Sequence, residues 1–177
     1  EMCIRDRYKM CEELIPVLRE RNKQKKALES EDYTPEEIFA HMQDETPIFI
    51  LIDGIQELLE KLQSATGQYT NIRSLFENFA DKGRLHKIYF IMTLNSDQTS
   101  QVLGYKFMEF ITKKIDGIHL GGNCISQRIL NFDKLSYQQQ NQALKPGYAY
   151  VSTYEEDSAQ EVYVPMARTR KKGGEKQ

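Results

Sequence analysis

The sequence predicts an α/β fold with a mainly parallel sheet, and three observations carry that prediction. Residues 47–53 (PIFILID) form an unbroken apolar run rich in β-branched side chains, the pattern of a strand buried on both faces. A second run of this kind, IYFIMTL, ends at Leu94. Between and after the two runs, apolar residues recur at helical spacing: Ile55, Leu58, Leu59 and Leu62, then Ile72, Leu75, Phe76 and Phe79. Strands alternating with helices of this kind build a parallel sheet covered by helices.

The elements follow in order. Residues 8–28 predict a helix, with Met10, Leu14, Val17 and Leu18 on one face. Pro16 either kinks that helix or marks its start. Residues 29–33 read as a polar linker. Thr34-Pro35-Glu36-Glu37 is a capping box with proline in the first helical position, and the short helix that it opens ends near Met42. After the first strand come helices over 55–65 and 71–82. The Thr66-Gly67 pair separates them, and Gly83 is expected as a left-handed cap. The second strand spans 87–94, and a helix follows over 105–114. A short strand over 117–120 closes on Gly121-Gly122. Short helices are expected over 127–131 and 137–144, and a turn at Lys145-Pro146-Gly147. Residues 148–152 and 161–165 alternate well enough to predict a C-terminal antiparallel hairpin.

Composition narrows the function classes. The 177 residues, 40% hydrophobic and 28% charged, suit one domain with a substantial core rather than a disordered chain. A formal net charge of −2 gives no reason to expect nucleic acid or an anionic membrane as partner. The longest apolar runs fall far short of the ~20 residues that span a bilayer. The cysteines, Cys3, Cys11 and Cys124, are odd in number and include no C-x-x-C pair. That suggests neither a disulfide framework nor a zinc knuckle and points to a reduced, cytosolic compartment. No histidine spacing suits a metal, and His86 and His119 read as surface or edge residues.

Both ends differ from the middle. Residues 1–7 contain MCIRDR, a string that matches translated sequencing adapter, so the native chain is expected to begin its match at residue 8 and to continue upstream. Residues 168–177 are basic, glycine-containing and expected to be disordered.

In an open α/β sheet, ligands bind beyond the carboxyl ends of the strands. Asp53 closes the first strand in the manner of a Walker B aspartate, whose carboxylate orients the water shell of a nucleotide-bound Mg²⁺. Equally, an aspartate there caps the following helix. Gly54 stands where a hydrolytic site carries a second acid, and no G-x-x-x-x-G-K-[ST] loop is present to cradle phosphates. Thr93 and Asn95 follow the second strand, either as γ-phosphate sensors or as a polar loop start. Arg84 is a candidate arginine finger across a subunit boundary; the plain alternative is an arginine serving the helix dipole.

Read together, several segments resemble the FtsK/SpoIIIE-type ATPase family. They are Leu18-Arg19-Glu20-Arg21, the strand ending at Asp53, KGRLHKIYFI from Lys82, DGIHLGG from Asp116, and KPGYAY from Lys145. Within that family they are most similar to the degenerate C-terminal ATPase domain of EssC-type type VII secretion motors, over residues 8–167. The resemblance implies a RecA-like, three-layer P-loop NTPase fold, here lacking its P-loop strand. It implies a hexameric, membrane-bound protein that exports WXG100-type substrates from the cytoplasmic face of the bacterial membrane. It also implies ATP and Mg²⁺ as cofactors of the full-length protein, with Asp53 on the Walker B position. With Gly54 after it and no Walker A lysine, the chain alone is expected neither to hydrolyse ATP nor to bind it tightly. The competing classes are an FtsK-type DNA translocase fragment and a non-catalytic adaptor. The translocase predicts an acidic pair where Gly54 stands. On the leading reading the first strand pairs in parallel with 87–94. The strand at 117–120 either stands one strand-width away or closes onto 87–94.

Overall fold

A computed structural model describes residues 4–165. The basic tail and the first three residues lie outside that range. The chain divides into two compact regions, Glu1–Lys113 and Lys114–Gln177, which are taken in turn.

The first region opens with α1 (Ile4–Ser30), which runs unbroken through Pro16 and absorbs the start of the expected polar linker. Pro16 supplies no N–H to the helix ladder. Packing offsets that loss, because α1 lies against other elements on the stripe that contains the buried residues Cys11 and Arg21. Helix α2 (Pro35–Met42) begins as the sequence predicts. Thr34 accepts from the Glu37 N–H, Glu37 reaches back to the Thr34 N–H, and proline sits in the first turn.

Strand β1 (Ile48–Ile52) pairs in parallel with β2 (Ile88–Met92), Ile48 opposite Ile88 and Ile52 opposite Met92. Between them come α3 (Ile55–Gln63), a 3₁₀ turn over Gly67–Tyr69, α4 (Ile72–Lys82) and a second 3₁₀ turn over Gly83–His86. The apolar positions read at helical spacing form the core: Ile55, Leu58, Leu59, Leu62, Ile72, Phe76 and Phe79 are all buried. Helices α5 (Thr99–Val102) and α6 (Lys106–Ile111) complete the region. Phe107 of α6 sits edge-on to Phe90 of β2 and tilted against Phe76 of α4. That contact locks the sheet to the helical layer.

Two expectations are corrected here. The first strand is not buried on both faces. Ile50 and Ile52 are buried, but Leu51 is 73% and Phe49 54% exposed, and Ile91 beside them is 53% exposed. Helices cover one face of this two-stranded sheet, so only alternate side chains enter the core. Gly83 is not a left-handed cap: its φ is −56°, and Lys87 takes the left-handed conformation instead. Glycine is needed at 83 for space, because a Cβ there would lie 2.7 Å from the Ile88 carbonyl oxygen.

The second region is antiparallel throughout. Strand β3 (Gly117–Gly122) pairs with β4 (Leu144–Thr153), and β4 pairs with β5 (Ser158–Tyr163). The predicted hairpin is present as β4–β5. The strand at 117–120 neither stands alone nor closes onto β2; it extends the hairpin sheet instead. Leu120 faces Ala149 while Gly122 faces Leu144, so the expected Lys145-Pro146-Gly147 turn is a bulge inside β4 rather than a chain reversal. Residues 127–131 form no helix, and α7 (Tyr137–Asn141) is shorter than expected. Cys124, Phe132, Leu135 and Tyr150 form this region's core. The architecture is therefore mixed α/β, with one two-stranded parallel and one three-stranded antiparallel sheet.

Candidate functional site at the ends of the parallel strands

The carboxyl ends of β1 and β2 bring two of the sequence-selected residues together. The ladder continues past both strands: the Thr93 N–H donates to the Ile52 carbonyl at 3.0 Å, and the Ile55 N–H donates to the Thr93 carbonyl at 3.0 Å. This places the Thr93 hydroxyl against Asp53. The hydroxyl donates to Asp53 Oδ1 at 2.6 Å and accepts from the Gly54 N–H at 2.9 Å. Asp53, Gly54 and Thr93 thus form one bonded cluster at the sheet end. The Asp53 and Thr93 side chains are exposed.

Gly54 is more than a missing acid. It is the residue before α3, with φ +73° and no side-chain cap bond at that helix end. An acidic side chain would be strained in this conformation. The Asp53 carboxylate is directed to Thr93, not to a capping bond at the α3 terminus. Among the described residues no cluster of three or more His, Cys, Asp or Glu could hold a metal ion. One carboxylate and one hydroxyl suit Mg²⁺ only when phosphate oxygens and waters complete its octahedron.

The other selected residues are placed apart from this cluster. Asn95 accepts from the Asp97 N–H at 3.2 Å, which makes it the cap of a local turn. Arg84 lies in the 3₁₀ turn before β2, whereas Asp53 and Thr93 follow the strands. Because β1 and β2 run parallel and in register, Arg84 sits at the opposite end of the sheet, roughly 16 Å away for five strand residues. It cannot serve the Asp53 end of its own chain.

Two cysteines and two histidines outside the cluster, Cys11, Cys124, His86 and His119, are buried. Desolvation pushes the Cys11 thiol up to about 12 and also raises that of Cys124, so neither is a ready thiolate. His86 and His119, expected at the surface, are 2% and 8% exposed. Burial lowers the pKa of both imidazoles, and each ring has one nitrogen without a hydrogen-bond partner.

Sequence reasoning missed two organising side chains in the second region. Gln127 accepts from the N–H groups of Ile129 and Leu130 and donates to the Leu130 carbonyl. Gln140 donates to the carbonyls of Phe132 and Leu135. Together they hold the loop around a cavity of about 420 Å³ that both residues help to line. Gln140 lies in a glutamine run that reads as a solvated helix face, and nothing in that run marks one member as structural. Comparison with known protein families, curated proteins and solved structures finds no match to this chain.

Proposed function

We propose that the chain is the back half of an FtsK/SpoIIIE-type, RecA-like ATPase domain that docks and responds rather than hydrolyses, within a type VII secretion motor exporting WXG100-type proteins. One observation supports this best. A Walker B-like aspartate ends a parallel strand and is bonded to a threonine at the end of the neighbouring strand, and the next position is a left-handed glycine. Beyond parallel strand ends is where such sheets bind ligands. Asp53 would orient the Mg²⁺ of a nucleotide whose phosphates are held elsewhere in the full-length hexamer. Gly54 leaves no carboxylate to activate the attacking water, so this site would sense nucleotide without turning it over. Asn95 and Arg84 have no part in it on the same chain. Among the described residues no helix is long and apolar enough to cross a membrane; membrane attachment, on this reading, belongs to other parts of the motor.

Two measurements test the proposal. Calorimetry of this chain with MgATP should show no micromolar binding; micromolar affinity would overturn the docking-only reading. In the full-length motor, Asp53→Asn should reduce export of a WXG100-type protein by less than about threefold. Abolished export with the protein still folded would show that the site is active, against this reading. Failure of any WXG100-type protein to bind the chain or the motor would remove the secretion assignment itself.

A further inference from the structure

The junction where α1 and the α2–β1 loop meet the turn before β2 is built from buried polar groups that are only partly satisfied. Arg21 of α1 is 5% exposed. One of its terminal nitrogens donates to the His86 carbonyl, the other to the Thr46 carbonyl at 2.7 Å, and its Nε lies 3.3 Å from Glu45. One side chain therefore ties three segments together. Lys87 adds a fourth tie, donating from Nζ to the Gln43 carbonyl at 2.5 Å. Yet two polar atoms in the same junction, His86 Nδ1 and Gln43 Nε2, are buried without a hydrogen-bond partner. Each buried polar atom left without a partner costs stability at this junction.

The charges around His86 make it a poor place for another proton. Arg21 and Lys25 approach from α1 and Lys82 from α4, and all three oppose an imidazolium. Lys25 is itself paired with Glu29 at 2.5 Å, and Glu45 is engaged by Arg21. Helix α2 contributes buried Ile38 and Met42, which offer no counter-charge. The turn itself carries Arg84, and its Gly83 is pressed against Ile88 with no room for a Cβ. Asp44 of the α2–β1 loop and Asp81 of α4 are exposed to solvent, no anion is among the charges that act on His86, and its Nδ1 has no acceptor.

We propose that this junction is a proton-sensitive latch: the neutral His86 imidazole keeps α1 seated on the turn before β2, and protonation releases α1. The latch does not depend on the secretion reading. Because the folded His86 resists its proton, it stabilises the seated state fully above the ordinary histidine pKa of about 6.5. That contribution is lost as pH falls below this value, until the lowered folded pKa is reached. One proton taken up on opening raises the α1 opening constant between pH 7.5 and 5.5, by at most about tenfold.

The test is hydrogen exchange on the whole chain at pH 7.5 and 5.5, corrected for intrinsic rates and read on the second half of α1. The wild type should lose more than twofold and up to about tenfold in protection at the lower pH. His86→Gln should lose less than twofold, and His119→Gln should keep the full loss. An unchanged acid response in His86→Gln would overturn the latch. Should His86→Gln fail to fold, the His86 titration of the wild type decides by NMR: its midpoint should lie below the ordinary histidine value of about 6.5, and a midpoint at or above that value would overturn the proposal.

Discussion

The two regions reach a buried core by opposite routes. In Glu1–Lys113 the strands are parallel and separated by two helices, so nearly all the core comes from helix faces and only one sheet face is covered. In Lys114–Gln177 the strands are antiparallel, β4 and β5 are joined by a short connection, and the core is a sheet face closed by a loop. The polar fasteners differ in the same way. Arg21 binds carbonyls far apart in sequence, whereas Gln127 binds backbone groups two and three residues away. Parallel pairing forces a long crossover, and the crossover must be fastened by long-range contacts. A hairpin closes locally and needs only local ones. Each region buries a histidine, but only His86 sits under an arginine that grips its own carbonyl.

The largest effect should separate the two faces of β1. Ile50→Asp puts an unpaired charge into the core and should cost more than about 4 kcal/mol in urea unfolding. Leu51→Asp, one residue along, enters solvent on the open face and should stay within about 0.5 kcal/mol. A large loss at Leu51 would mean that this face is covered in solution.

A smaller difference should separate the fasteners. Arg21→Met leaves two carbonyls and Glu45 without their partner and should cost about 2–3 kcal/mol, less than a fully buried pair because Glu45 is partly exposed. Gln127→Ala should cost about 1–2 kcal/mol and raise hydrogen exchange at Ile129 and Leu130 while leaving α1 protected. Loss of α1 protection in Gln127→Ala would show that the two networks are coupled.

A further difference separates two glycines that look alike in sequence. Gly83→Ala should cost about 1–3 kcal/mol by crowding the Ile88 carbonyl. Gly54→Ala has open space and only its positive φ to resist, so about 1 kcal/mol is expected. Thermal unfolding of both variants, with the order reversed, would contradict the packing at the turn before β2.

Local chemistry made much of this legible. The Thr34–Glu37 box, the crossover helices over Ile55–Gln63 and Ile72–Lys82, and both parallel strands depend on patterns within a few residues of one another. Asp53 and Thr93 were legible as candidates because both follow apolar runs. That they share a hydrogen bond depends on strand register. The rest was decided at long range. Ile118 and Leu120 read as part of a short strand; that both face solvent follows from β3 pairing with β4 and leaving one face of that sheet open. Arg21 reads as one cation in a charged helix; burial and three separate partners give it its role.

The sequence by itself determined the helices Pro35–Met42, Ile55–Gln63 and Ile72–Lys82 and the strands Ile48–Ile52 and Ile88–Met92, since periodicity and capping are properties of neighbours along the chain. Tertiary structure alone decided which face of β1 is covered, which strand β3 joins, and why Gly83 must lack a side chain. Those outcomes turn on atoms brought within a few ångströms by packing, and the order of residues carries no record of that distance.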